Sequence, residues 1–512
     1  MKRVERSWKN FYYGIISQGI SSLMSFVIRF VLIRTLGMQA VSLNGLFTEV
    51  IAMLSLAELG VGSAIVYHLY GPLKEKDEKR LAQLMNLYKT AYRIIALVIL
   101  AVGLMLLPYI HLLVSKIDID RGYLRLVYFL FLVQTASSYL LSYKTSLLGA
   151  DQKNYVVSLY NMIVRVVFDG ITIIFLLGTH NYIVYLLLQI TMTFSINIAI
   201  SIQANRLYPF LKRKERLPVK EAKQVLSNIK HIFVEVLSGK IINSTDNILI
   251  STMIGTLNVG AYSSYTMIVH AISALLIQMH HATTGSIGNL MAEGKNSYTE
   301  VVLRRLTFIT YCPTVLAAVG VYTVSTPFIR LLYGEEYLLP MSIVFMCVFN
   351  FLFQTIKNPL WYMVGISGFF AQNKNIAVLG SILNLVLSII LGRSWGILGI
   401  VLGTGAALII QVSLKVLLFF RRFLHLPAGA YVSLMVRLIA VGVLCMLGGQ
   451  AICRLISVTN LYLKIFLYGI CSEALAIGVN LLFFHSIPEF QYAIETGKAL
   501  LRKYLPQYFS NC

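Results

Sequence analysis

The chain has 512 residues, of which 57% are hydrophobic and only 12% charged, and its formal net charge is +22. Soluble domains average about 25% charged residues, so the composition excludes an ordinary soluble fold. Nucleic-acid binding needs a contiguous basic face. Here Lys and Arg gather in short links between apolar stretches, the pattern that sets topology in a membrane.

A helix of about 20 apolar residues spans the hydrocarbon core. Runs of this kind predict an all-α integral membrane protein with about fourteen transmembrane helices, at 11–36, 41–69, 86–111, 122–146, 155–178, 182–204, 231–254, 259–285, 305–332, 341–364, 372–393, 396–419, 431–452 and 463–485. The first run follows Lys2, Arg3, Arg6 and Lys9. It exceeds the roughly 7–15 residues of a signal-peptide core, so it reads as a first span with a cytoplasmic N-terminus. The inner links are then basic: Lys74, Lys76, Lys79 and Arg80 at 70–85, eight Lys or Arg at 205–230, Arg421 and Arg422, and Lys498, Arg502 and Lys503 in the tail. The outer links at 37–42, 179–181, 255–258 and 333–340 hold no Lys or Arg. Fourteen crossings return the C-terminus to the cytoplasm.

The long inner link divides the chain into a six-helix lobe at 1–204, a cytoplasmic linker at 205–230, a second six-helix lobe at 231–422 and two further helices with a tail at 423–512. Pro218 suits a first helical turn. Ala222, Val225, Leu226, Ile229 and Ile232 recur at helical spacing among lysines, which predicts an amphipathic helix on the inner leaflet, its lysines toward lipid headgroups. The halves repeat weakly. Gly37 aligns with Gly255 at an offset of 218, and Ser42 then falls on Gly260. Six helices per half in one orientation imply a parallel repeat about an axis along the membrane normal.

The stretch Asn44 to Asp77, N-G-L-F-T-E-V-I-A-M-L-S-L-A-E-L-G-V-G-S-A-I-V-Y-H-L-Y-G-P-L-K-E-K-D, resembles the second helix and following loop of bacterial Wzx-like polysaccharide flippases of the MOP exporter superfamily. Gly239 to Tyr265, with N-S-T-D-N-I-L-I-S and G-A-Y-S-S-Y, resembles the start of their second half. The resemblance implies two six-helix lobes around a central cavity working by alternating access. It implies a lipid-linked oligosaccharide, usually on undecaprenyl diphosphate, moved from the inner to the outer leaflet of a bacterial cytoplasmic membrane. O-antigen or other lipopolysaccharide units are examples. Membrane lipids, a coupling H+ or Na+ and a polysaccharide polymerase machinery are the expected partners.

Charges inside the spans mark a cavity, a pairing or a pathway. The cations are Arg29, Arg93, Arg165, Lys240 and Lys357. Arginine suits a diphosphate because its planar fork makes two parallel hydrogen bonds. Arg29 has no acid at i±3 or i±4 and reads as facing the cavity, whereas three of the others have a plainer reading. Arg165 and Asp169 are four apart and can neutralise each other on one helix face. Arg93 and Lys357 lie near the inner surface and can snorkel. Lys144, Lys415 and Arg437, close to helix ends, read as snorkelling residues. The acids Glu49, Glu58, Asp169, Asp246, Glu235 and Glu473 either pair with these cations or bind a coupling ion. Asp246 sits among Asn243, Ser244, Thr245 and Asn247, as an ion site or a packing feature. His270 reads as a helix-packing residue. Gly396, Gly399, Gly403 and Gly405 suit close helix contact.

The six cysteines form no CxxC pair and read as packing residues, with no metal role. No HExxH, GxSxG or Walker A sequence is present, so neither catalysis, a bound cofactor nor direct ATP use is expected. Two other functions compete. A cation-coupled multidrug or metabolite antiporter of the same superfamily is disfavoured by the two extra helices and the embedded cations. A membrane polysaccharide polymerase or acyltransferase is disfavoured by uniformly short outer loops.

Overall fold

A computed structural model describes residues 2–55, 61–213, 215–227, 229–281, 296–366 and 370–504. All regular structure among them is helical. The helices are α1 (Lys2–Leu54), α2 (Val61–Glu75), α3 (Glu78–Leu106), α4 (Arg121–Ala150), α5 (Asn154–Thr179), α6 (Tyr182–Leu207), α7 (Val219–Ser227), α8 (Ile229–Leu249) and α9 (Leu257–His281). There follow α10 (Asn296–Tyr333), α11 (Met341–Ile356), α12 (Asn358–Ile366), α13 (Phe370–Leu418), α14 (Gly429–Leu455), α15 (Leu461–Phe484) and α16 (Pro488–Tyr504). Among the described residues, ten helical runs are long and apolar enough to cross a membrane, or eleven with the bent pair α11–α12. This is a multi-pass membrane protein.

Two of the ten runs are far longer than a bilayer needs: Tyr12–Leu54 with 43 residues and Gln372–Leu424 with 53. Each contains one glycine whose backbone leaves the helix, Gly37 (φ 72°) and Gly396 (φ 62°). A Cβ disfavours positive φ, so glycine is the residue that turns the chain there. Around Gly396 the turn is a full reversal. A Cβ on Gly399 would stand 2.0 Å from the Leu391 carbonyl oxygen, and one on Gly403 2.5 Å from the Ser388 amide. Ser388 also donates from its hydroxyl to the Ile400 carbonyl at 3.0 Å. These pairs are centred on residues 394–396, so α13 folds into an antiparallel hairpin. The predicted helices 372–393 and 396–419 are its arms.

Six of the nine positive-φ residues fall in pairs near the 218 offset: Gly37 and Gly255 are 218 apart, as are Lys116 and Gly334, and His180 and Gly396 are 216 apart. Each lies at a helix junction.

The chain divides into two compact units, Met1–Ser263 with Ala377–Gly403, and Ser264–Ile376 with Thr404–Cys512. In the first, α1 packs against α5 and α8, α3 against α4, and α4 and α5 against α6. Its linker is tied to the start of α3. Arg80 pairs with Glu221 of α7 at 2.6 Å, Arg213 pairs with Glu78 at 2.9 Å, and Asn86 donates to the Arg213 and Glu215 carbonyls. The predicted amphipathic linker helix therefore begins at Val219, ends at Ser227 and is held by protein contacts as well as by its composition. In the second unit α10 is central, packed on α11, α14 and α15, with α16 against its first turns.

Candidate functional site

The polar interior of the first unit is built around α1. Arg29, half-buried, donates from Nη2 to the Gly260 carbonyl at 2.9 Å and to Ser263 Oγ at 2.7 Å. The start of α9 comes this close because small residues meet there. Ser42 Oγ accepts the Gly260 amide at 3.1 Å and donates to the carbonyls of Met38 and Leu257. A Cβ on Gly260 would lie 2.5 Å from Ser42 Oγ, and one on Gly45 3.0 Å from Ser263 Oγ. Small residues let helix backbones approach, as at many membrane helix crossings.

One turn before Arg29, Ser25 accepts Arg165 Nη2 at 2.7 Å. Arg165 also meets Asp169 at 3.3 Å, and that carboxylate is only 2% exposed. The pairing expected from their spacing is present, but it does not use up the guanidinium, which bridges α5 to α1. Asn44 donates to Tyr185 at 3.4 Å, and Tyr185 lies within electrostatic reach of Arg29, Arg165 and Asp169. Ser25, Arg29, Asn44, Arg165, Asp169, Tyr185 and Ser263 thus form one polar cluster.

The acids of α1 and α8 form a second group. Ser244 hydrogen-bonds the Glu49 carboxylate, and Lys240 is within electrostatic reach of it. Tyr262 donates to Asp246 at 3.0 Å, Thr245 to Asn384 at 3.2 Å, and Asn247 to the Gly45 carbonyl at 3.4 Å. Lys240 and Arg93 are exposed and stand apart from the Arg29 cluster. Glu58 lies outside the described residues. His270 is exposed on α9, and Glu473 lies against Gly320 in the second unit.

Two lysines correct the snorkelling expectation. Lys144 is buried, bonded to Ser201 Oγ and, at 3.0 Å, to Asn205 Oδ1. Lys415 is 1% exposed and stands 3.8 Å from the Trp361 ring centre, while Lys357 stands 3.9 Å from the same ring. The two ammonium groups are therefore within about 8 Å, where repulsion at an effective dielectric of about 20 is on the order of 2 kcal/mol. A desolvated cation–π contact is worth about as much, so the indole offsets it. Sequence reading missed Trp361 and Tyr185 because neutral aromatics in apolar runs carry no distinguishing signal.

The described residues thus define a helical, multi-pass membrane protein with guanidinium and carboxylate groups held between its helices. The chain belongs to the polysaccharide biosynthesis protein family, which it matches over residues 7–284, 278 of its 512. No curated protein matches its sequence significantly. Among solved structures, the lipid II flippase MurJ in an inward closed conformation is similar with a TM-score of 0.62 and 18% identity, over 91% of this chain and 98% of that one. The eukaryotic MATE transporter AtDTX14 gives 0.61 and 11%, over 85% and 99%. An inward-facing multidrug resistance MATE family transporter of the MOP superfamily gives 0.56 and 15%, over 77% and 93%. At these identities the likeness is one of fold.

Proposed function

We propose that this protein moves a lipid-linked oligosaccharide, carried on a polyprenyl diphosphate, from the inner to the outer leaflet of a bacterial cytoplasmic membrane. The observation that carries this reading is the match of residues 7–284 to the polysaccharide biosynthesis family. The fold shared with a lipid II flippase supports it. So does the polar cluster that holds Arg29 and Arg165 between helices, since a guanidinium fork suits the oxygens of an anionic headgroup. The ten spans become twelve when the runs broken at Gly37 and Gly396 each count twice, thirteen with the bent pair and fourteen with α8. Fourteen crossings accommodate two six-helix lobes and two additional helices with both termini cytoplasmic. Alternating access would then expose the Arg29 cluster to each leaflet in turn.

The second reading is a cation-coupled antiporter of small molecules, favoured by the fold shared with MATE transporters and by the Glu49–Ser244 and Asp246–Tyr262 pairs. In a strain lacking the gene, the flippase reading expects loss of surface polysaccharide and accumulation of the lipid-linked unit on the cytoplasmic leaflet. Normal outer-leaflet delivery with no polymerisation would move the assignment to a polymerase. Unchanged polysaccharide in a strain without redundant flippases would leave the antiporter.

A further inference from the structure

Two cations in the second unit share one aromatic ring at a break in a span. Lys357 stands between α11 and α12, which meet at 41°. Pro359, two residues on, cannot donate the amide that would continue the helix ladder. One turn after the bend, Trp361 has Lys357 Nζ 3.9 Å and Lys415 Nζ 3.8 Å from its ring centre. Packing alone does not call for this arrangement. An aliphatic residue would fill the almost fully buried position 415 without the cost of desolvating a cation. Both ammonium groups lie against one ring and within about 8 Å of each other, and together they suit a ligand bearing two negative charges. Broken helices within spans are also where transporters place ligand-binding groups.

We propose that Lys357, Lys415 and Trp361 form a subsite for the diphosphate headgroup of a polyprenyl lipid, built within the second unit. The proposal rests on the flippase reading for the identity of the lipid. In the expected topology Lys357 ends a 16-residue helix that begins at the outer surface, a rise of about 24 Å across a core of roughly 30 Å. Lys415 lies three residues from the C-terminal end of α13. Both therefore face the inner-leaflet half of the membrane, where a cytoplasmically assembled headgroup would first be met.

Ordinary anionic phospholipids offer phosphate as well, so the test separates the sources. Trp8, Trp361 and Trp395 are the three tryptophans, and a W8F/W395F protein in neutral detergent micelles reports on Trp361 alone. It is titrated with polyprenyl diphosphate, inorganic pyrophosphate and phosphatidylglycerol. The expected result is a saturable change in Trp361 emission with both diphosphates. K357M and K415M should weaken it at least tenfold, and K357R should restore it. An equal response to phosphatidylglycerol assigns the site to bulk phospholipid and overturns the proposal. No response, or one that survives both methionine variants, also overturns it. Thermal unfolding of each variant is recorded alongside; if K415M does not fold, K357M at the half-buried position decides. The readout is binding, independent of transport. A diphosphate response in a protein whose loss leaves surface polysaccharide intact would keep the subsite and remove the flippase reading.

Discussion

Ser42 accepts the Gly260 amide at 3.1 Å, and the two residues are 218 positions apart, the spacing of the internal repeat. Gly45 and Ser263, also 218 apart, meet one turn along, where a Cβ on Gly45 would lie 3.0 Å from Ser263 Oγ. Equivalent residues touch each other only where an axis of symmetry passes between them. The neighbouring contacts obey the same rule. Arg29 bonds to Ser263, and Asn247, 218 residues after Arg29, bonds to Gly45. Within the first unit the crossing of α1 and α9 thus joins residues at one spacing, and each pair holds one serine and one glycine, with their sides exchanged between the pairs.

That exchange is testable. G260A places a methyl 2.5 Å from Ser42 Oγ and should destabilise by about 1–3 kcal/mol, the usual range for overpacking. The double variant S42G/G260S keeps one hydroxyl at the crossing and should recover most of the loss. Thermal unfolding in detergent micelles measures both. Equal destabilisation in the swap would show that the two positions are not equivalent.

Arg29 is the cation that this crossing holds in place. R29A should lower export of surface polysaccharide at least tenfold while membrane insertion is unchanged, and R29K should be intermediate because lysine loses the fork. S263A removes the 2.7 Å partner and leaves the charge, so it should cost far less export than R29A. Wild-type export in R29A would remove Arg29 from the proposed site.

Arg165 and Asp169 separate pairing from binding. Asp169 is 2% exposed, so R165A leaves a buried carboxylate without its cation, a change that typically costs about 3–5 kcal/mol. R165A/D169A removes both charges and should be more stable than R165A alone. If the double variant regains stability but not export, Arg165 has a role beyond neutralising Asp169. If it regains both, pairing is its whole role. Unfolding temperature and surface polymer, measured on the same variants, decide between them.

The spans were legible because each is an apolar run bounded by Gly, Pro or basic links, and the repeat was legible at Gly37, Gly255, Ser42 and Gly260. The deeper repeat was not. Lys116 matches Gly334 and His180 matches Gly396 only in backbone conformation, since different residues supply the same positive φ. The Arg165–Asp169 pair follows from helical spacing, whereas the Arg165–Ser25 bond joins residues 140 apart that no local pattern connects. Lys144 and Lys415 looked like end-of-helix snorkellers because depth was judged along single helices. Neighbours distant in sequence, Asn205 and Trp361, bury them instead.

The hairpin at Gly396 decides whether α13 crosses the membrane once or twice. Its arms touch backbone to backbone at Gly399–Leu391 and Gly403–Ser388, so a side chain at either glycine has no room. G399L should prevent closure and abolish stable insertion, whereas a substitution at exposed Ser394 by the turn should be tolerated. In a cysteine-less background, S394C should react with a membrane-impermeant thiol reagent from the outer side. R421C, at an exposed position beyond the second arm, should react only after the membrane is opened. Hairpin arms that each span the bilayer put both their far ends on the side opposite the turn. Labelling of S394C and R421C from the same side would therefore show that the 53-residue run does not form two crossings, and would remove a span from the second lobe of the proposed topology.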